Sequence, residues 1–506
     1  MALVRTVAAA VEGVDGYLVP VEVSRSPSPF GPGRTSVVGL PDAAVREAID
    51  RVGTALRHSG LTHGGVDTVV VNLAPADRRK EGTGFDLAIA LGLCASFEDS
   101  GLALPADTLF LAELGLDGAL RPVRGCLAAA VAARQEGLAR MVVAPGNAGE
   151  AAVVAGLTVH APPDLATLVG WLAKGLASAP VATAEPVEDA WTGPDLADVK
   201  GQDHAKRALA IAAAGGHNLL MLGPPGSGKT MLARRLPGIL PPMTEAEALE
   251  VTRVQSVSGL LARPGLARER PFRAPHHNVS QVGLVGGGPV PRPGEVSLAH
   301  LGVLFLDELP EYGRTQLESL RQPLEDGHLT ISRAAGRIRL PSRCMLVAAM
   351  NPCPCGYLGH PTRRCTDSAD AVHRYRSRIS GPLLDRIDLH IEVPAQPPER
   401  LLGEAPGEDS ASVRARVVAA RDRMLARQGR PNALLDPRGV RSHLHPAPGA
   451  LDLLGQAIGE LGLSARAADR IAKVARTLAD LDGSTAVTTD HIAEAVGYRV
   501  LDRPTG

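Results

Sequence analysis

The sequence predicts an α/β chain that ends in a helical bundle, and three observations predict it. Strand-like and helix-like segments alternate over residues 1–178. A complete phosphate-binding loop, Gly223-Pro224-Pro225-Gly226-Ser227-Gly228-Lys229-Thr230, lies between the strand-like HNLLML and the helix-like MLARRL. From Val413 onward apolar residues recur three and four apart, the period of one helix face.

The N-terminal block, 1–178, reads as an α/β unit. VDTVVVNLAP has the apolar run of a buried strand, and FDLAIALGLCA follows a glycine-rich turn as a helix. RPVRGCLAAAVAARQEG reads as a turn and a helix, and ARMVVAPGN as another strand. Residues 179–192 are rich in Ala and Pro without periodicity and read as a linker. The central block, 193–395, carries the chemistry. A Pro-, Gly- and acid-rich connector leads to the C-terminal helical block, 410–506, whose last helix Thr489 and Asp490 can cap.

Composition bounds the function. At roughly 100–200 residues per domain, 506 residues suggest about three domains. Hydrophobic residues at 45% and charged residues at 21% suit a soluble chain with a large core. The formal net charge of −1 gives no global basic field, although a ring can hide a basic channel inside a neutral shell. Six cysteines in so long a chain make no disulfide scaffold. The start lacks an apolar core after a basic patch, and no stretch reaches the ~18 apolar residues of a spanning helix. The expectation is a cytoplasmic protein without membrane contact.

The chemistry of the central block follows from its residue types. Glycines let successive backbone N–H groups curl around phosphate oxygens, and the next helix adds its positive end. Lys229 reaches the β- and γ-phosphates of ATP, and Thr230 offers its hydroxyl to Mg²⁺. VLFLDE supplies a second buried strand, with Asp307 at its end to support the Mg²⁺ shell. Glu308 is placed to polarise the attacking water. MLVAAMN is a third apolar strand, and Asn351 at its end can orient water near the γ-phosphate.

In this order the three elements resemble the Walker A, Walker B and sensor-1 elements of AAA+ ATPases. SGPLLDRIDLHIEVP resembles the arginine-finger segment of magnesium chelatases and replicative MCM helicases. The resemblance implies that Arg386 reaches a neighbouring subunit's γ-phosphate, with Arg378 as a nearby competitor. LSARAADRIAKVARTLADL resembles the sensor-2 helix, with Arg466 at the motif position and Arg470 one turn on. LEDGHLTISRAAGRIRLPSRC reads as a hairpin and resembles the pre-sensor-1 hairpin of this branch. PFRAPHHNVSQVGLVGGG resembles the insert in the preceding helix. In ring translocases both elements face the pore, which would make Arg333, Arg337 and Arg339 phosphate contacts. An ordinary hairpin with solvated arginines is the other reading.

Taken whole, the chain resembles the YifB/ComM type of magnesium-chelatase-like AAA+ ATPase. NLAPADRRKEGTGFDLAIALG, FRAPHH, AAMNPCPCG and SGPLLDRIDLH carry the match. The resemblance implies a Lon-protease-like N-terminal α/β domain, a central AAA+ P-loop domain and a C-terminal helical bundle of magnesium-chelatase type. It implies a homohexamer, and a helicase promoting branch migration of DNA in natural transformation. A chelatase-type ATPase subunit and a protein-remodelling ATPase are the alternatives. The Lon peptidase dyad is missing: Thr83 stands near the serine turn, and RPVRGCLAAA has no lysine. The run Arg78-Arg79-Lys80 reads as a solvated turn. Cys353, Cys355 and Cys365 resemble part of a zinc knuckle whose second C-x-C pair is broken by Thr366-Asp367. His360 or His373 could complete a Zn²⁺ site. A relic loop of free thiols is the alternative.

Overall fold

The computed structural model describes residues 2–27, 34–61, 67–97, 100–183, 191–261, 263, 265–288, 291–333, 336–397 and 407–502. Part of the expected linker, 184–190, lies outside them. The chain gathers into two compact units. The first takes Met1–Glu188 with Ala248–Ala267 and Ile331–Arg339, and the second takes the rest.

The first unit is built on seven strands. They are β1 (Ala2–Glu12), β2 (Asp15–Pro27), β3 (Thr35–Val38), β4 (Asp67–Leu73), β5 (Thr108–Leu111), β8 (Arg140–Val143) and β9 (Thr158–His160). Between them, β6 (Glu113–Leu114) and β7 (Leu120–Arg121) form a separate ribbon. The sheet order is β3-β4-β2-β1-β5-β8-β9. The β1–β2 and β2–β4 pairs are antiparallel and the other four pairs parallel. VDTVVVNLAP and ARMVVAPGN supply β4 and β8. The two expected helices run over Asp86–Ala95 and Cys126–Gln135. The apolar faces of these elements make its core.

Ala248–Ala267 follows the phosphate loop in sequence but belongs to this first unit. Ser256 donates its hydroxyl to the buried carboxylate of Glu150, which also accepts from Leu127 N at 2.8 Å and Asn147 Nδ2 at 3.1 Å. Arg253 reaches Val14 O at 3.2 Å and pairs with Asp15. Thr83 Oγ1 donates to Glu113, while Lys80 Nζ donates to Pro75 O and to Arg78 O. The lysine ammonium is therefore bound by carbonyls of its own loop, and the Thr83 hydroxyl by Glu113.

The second unit holds a five-stranded, all-parallel sheet. Its strands are β10 (Leu219–Leu222), β11 (Phe272–Arg273), β14 (Val303–Leu306), β17 (Met345–Met350) and β18 (Leu389–Glu392), in the order β11-β14-β17-β10-β18. Two ribbons interrupt them in sequence: β12 (Gly286–Gly287) with β13 (Arg292–Pro293), and β15 (His328–Arg333) with β16 (Gly336–Pro341), of which Ile331–Arg339 are counted with the first unit. β10, β14 and β17 are buried along their whole length, as strands covered on both faces must be. That explains their unbroken apolar sequences.

Helices Ser410–Gln428, Pro437–His443, Ala450–Leu461, Ala465–Leu481 and Thr489–Gly497 complete the unit, sharing one apolar core with the sheet. The last helix is capped by Thr488, one residue before the expected pair. Its hydroxyl accepts from His491 N, which the β-region backbone of Thr488 permits. No helix among the described residues is long and apolar enough to cross a membrane.

Candidate nucleotide site

The site begins where β10 ends. A Cβ on Gly223 would stand 2.2 Å from Val393 O, so only glycine lets the chain leave the sheet there. Gly226 and Gly228 have φ of +76° and +93°, a region glycine enters freely. Helix Lys229–Ile239 starts directly after them, so the loop and a helix N-terminus face the same space.

Lys229 is buried beneath this loop. Its Nζ donates to Gly223 O at 2.7 Å and Pro224 O at 2.9 Å, and lies 3.4 Å from Asn351 Oδ1. Burial pushes the ammonium pKa down, and the charges of Asp307 and Glu308 oppose that shift. Thr230 Oγ1 donates to Asp307 Oδ2 at 2.7 Å. Glu308 N donates to Asp307 Oδ1 at 3.0 Å. Glu308 has φ of +52°, uncommon outside glycine, and its side chain is 55% exposed. Adjacent parallel strands thus bring together residues from three segments more than 40 positions apart.

Two contacts at this edge escape the sequence reading. Gln202 is buried with φ of +58°, and its Nε2 donates to Ser227 O at 3.0 Å and Pro394 O at 2.8 Å. It fastens the phosphate loop to the chain leaving β18. Its sequence signal is a Gly201-Gln202 turn before a helix, which equally fits a plain cap. His277 Nδ1 lies 3.6 Å from Glu308 Oε2, and FRAPHH carries no hint of that partner. Arg378 also sits at this edge, donating to Pro310 O at 3.2 Å and Glu311 Oε2 at 3.1 Å.

The other arginines stand at the opposite edge. Asn218, one residue before β10, donates to Arg386 O at 2.8 Å and accepts from Leu346, Asp388 and Leu389 N. It ties the starts of three strands together. Arg386 pairs there with Glu325 and donates to Pro382 O at 2.8 Å. Arg466 lies 3.5 Å from Asp385 and is 73% exposed. Arg470 pairs with buried Asp388, which also contacts His217 Nδ1 at 3.1 Å. Burial raises the Asp388 pKa, but the His217 hydrogen bond and the charges of His217 and Arg470 outweigh it and hold it below the usual range.

In the β15–β16 ribbon, Arg337 and Arg339 lie two apart on β16 with exposed side chains. Arg333 ends β15, and its side chain lies outside the described residues.

Beyond Asn351, Cys353 Sγ stands 3.3 Å from Cys355 Sγ and 3.6 Å from Cys365 Sγ, with 3.6 Å between the last two. Asp367 joins them, all four ligand atoms lying within 4.8 Å of one another. Thiolates on one tetrahedral zinc stand about 3.8 Å apart, so the donor set fits. Neither His360 nor His373 joins this group among the described residues, which corrects the expected fourth ligand. His360 Nδ1 already accepts from Thr362 N and Arg363 N. The short spacing of Cys365-Thr366-Asp367 brings the carboxylate to the thiols, where it accepts from Cys355 N at 2.8 Å.

A parallel sheet in this order, with a phosphate loop on its fourth strand and an acidic pair on its second, defines a P-loop module of the AAA+ class. The family described as "Magnesium chelatase, subunit ChlI" matches residues 195–401. Its C-terminal part matches 407–499, and "Subunit ChlI of Mg-chelatase" matches 21–147. The chain is 45% identical to the competence protein ComM of Haemophilus influenzae over 99% of its own length and 98% of that protein's. It is 44% identical to the YifB protein of Escherichia coli, covering 98% and 96%. Lon protease 2 of Bacillus subtilis is 29% identical over 30% of this chain and 29% of its own. The chain belongs to the YifB/ComM-type magnesium-chelatase-like AAA+ ATPases.

Proposed function

We propose that the chain is an ATP-hydrolysing motor of the cytoplasm that works as a homohexameric ring on single-stranded or branched DNA. One observation carries the ring. Lys229, Thr230, Asp307, Glu308 and Asn351 gather at the C-terminal edge of the sheet, whereas Arg386 and Arg466 hang from its N-terminal edge. The four residues of β10 separate the two edges by about 13 Å at 3.3 Å per residue. An arginine there serves a neighbour's γ-phosphate more readily than its own.

In this reading Gly223 to Gly228 wrap the phosphates, and Lys229 turns from its carbonyls to the β- and γ-phosphates. Thr230 and Asp307 would hold Mg²⁺, which neutralises phosphate charge when bound. Glu308 takes the proton of the attacking water, and Asn351 orients that water. Arg386, with Arg466, stabilises the transition state in the next subunit. Arg333, Arg337 and Arg339 contact the DNA backbone. The competence name of the Haemophilus relative supports a DNA substrate. The test is ATP turnover with and without forked DNA. Stimulation of several fold is expected, and turnover indifferent to DNA would move the assignment to a protein or metallation partner. The chelatase match favours a metallation subunit as second reading.

Cys353, Cys355, Cys365 and Asp367 would hold structural Zn²⁺. A Cβ on Gly356 would stand 2.6 Å from Pro225 Cδ, so this loop lies against the phosphate loop and a metal there steadies the chain beyond Asn351. About one zinc per chain is expected after purification without chelator, falling in Asp367→Ala. A folded, metal-free parent would refute the site.

A further inference from the structure

His277 is a residue that the roles above leave unused, and it approaches the proposed water-activating group. Its Nδ1 lies 3.6 Å from Glu308 Oε2. That exceeds a hydrogen bond, but catalytic contacts are often long without substrate and tighten when it binds. The imidazole is held in place from two sides. His276 packs against it, tilted by 37°, at 4.1 Å between ring centroids, and Tyr312 meets it edge-on at 6.4 Å. The backbone on either side is fastened to the segment that follows Glu308. Tyr312 donates its hydroxyl to Pro275 O at 2.6 Å, and Gln316 donates Nε2 to Val279 O. Val279 N closes a turn on His276 O at 2.9 Å.

The same stretch begins a long excursion from the sheet. After β11 the chain runs out through helix Gln281–Val285 and the β12–β13 ribbon, then returns at helix Glu295–Leu298. Arg273 closes the base of this excursion by forking onto Glu295 at 2.7 and 2.8 Å. Glu308 is mostly solvated and has a free choice of rotamers unless something holds it. We propose that His277 is a positioning residue that fixes the Glu308 carboxylate for hydrolysis, and that it ties this carboxylate to the 273–295 excursion. The inference rests on Glu308 being the group that activates water.

The test measures steady-state ATP hydrolysis of the full chain for His277→Ala, His277→Gln and Glu308→Gln. Glu308→Gln should bind ATP and hydrolyse it at least 100-fold more slowly. If it hydrolyses normally, the role given to Glu308 fails, and this inference with it. With Glu308→Gln inactive, His277→Ala should lower kcat about 10-fold while KM for ATP changes less than about 2-fold. His277→Gln, which keeps an N–H donor, should recover most of that loss. A merely structural role would instead lower the folded fraction and leave kcat per folded site unchanged. A kcat for folded His277→Ala equal to or above the parent's would overturn the inference and leave the role of Glu308 standing.

Discussion

The two edges of the parallel sheet are built on different principles. At the C-terminal edge, short segments place reactive groups within hydrogen-bond reach: Lys229 on Gly223 O, and Thr230 on Asp307 at 2.7 Å. Asp307 and Asn351 each follow a strand at once, and Lys229 follows β10 across the glycine loop. At the N-terminal edge, Arg386, Arg466 and Arg470 meet carboxylates, and Arg386 a carbonyl as well. The C-terminal edge gathers the phosphate loop, Lys229 and the acidic pair. The difference is what the proposed ring requires, in which each subunit would hold two half-sites facing opposite ways.

The strongest way to break this comparison is to separate the halves. Lys229→Ala should reduce ATP turnover to background, and Arg386→Ala should reduce it about 1,000-fold. Mixing the two variants should restore a measurable fraction, because an intact phosphate loop can then face an intact arginine. Recovery is read as turnover per total protein across mixing ratios. Mixed rings without recovery would show that Arg386 serves its own subunit, and would collapse the two half-sites into one. Arg378, anchored to Pro310 and Glu311 beside the phosphate loop, would then be no worse placed than Arg386.

The N-terminal edge also joins the sheet to the helical part of the unit. His217 Nε2 contacts Thr477 Oγ1 at 2.8 Å, and Asn432 Nδ2 donates to both Thr477 and Asp480. Arg427 forks onto Asp480 at 2.6 and 2.8 Å. Asp388 anchors this network from the sheet side. Asp388→Asn leaves Arg470 facing a neutral amide and should cost about 3 kcal/mol, as breaking a buried pair does. The folded pKa of Asp388 lies below its unfolded value of about 3.9. Its contribution is therefore complete above that value and lost as the pH falls through the folded pKa. The stability gap between parent and variant, measured by denaturant titration, should be present at neutral pH and should close as the pH falls below about 4. A gap that widened in acid would contradict the assignment.

Legibility in the sequence follows the same division. Gly223 to Thr230, Asp307 and Asn351 stand out in the sequence because each proposed role sits on a local pattern, an apolar run followed by a glycine loop or a polar residue. The strands β4, β8, β10, β14 and β17 are legible for that reason. What the sequence hides depends on partners far along the chain. Gln202 acquires meaning only when β18 brings Pro394 beside the phosphate loop, and His277 only when β14 delivers Glu308. Asp367 looks like the residue that breaks a knuckle until the fold turns its carboxylate toward three thiols. Ala248–Ala267 lies in the middle of the P-loop block by position, yet its buried partner Glu150 comes from the first unit. No local periodicity encodes such a pairing.

The smallest expected effect sharpens the comparison most, because Arg466 and Arg470 compete for the same role one helical turn apart. Arg466 is 73% exposed and 3.5 Å from Asp385, and a surface pair of this kind contributes about 0–1 kcal/mol. Arg470 is engaged with a buried carboxylate inside its own subunit. An arginine committed there is a poor donor to a neighbour, since leaving would strand Asp388. Arg466→Ala should therefore keep the parent's unfolding free energy within about 0.5 kcal/mol while lowering turnover about 10-fold. Arg470→Ala should do the reverse, losing stability first and turnover only as the folded fraction falls. Unfolding midpoints and turnover per folded chain, measured together on both variants, separate the two. If Arg470→Ala lost turnover at full stability, the buried pair with Asp388 would be a resting contact, and the neighbour-facing arginine would be Arg470.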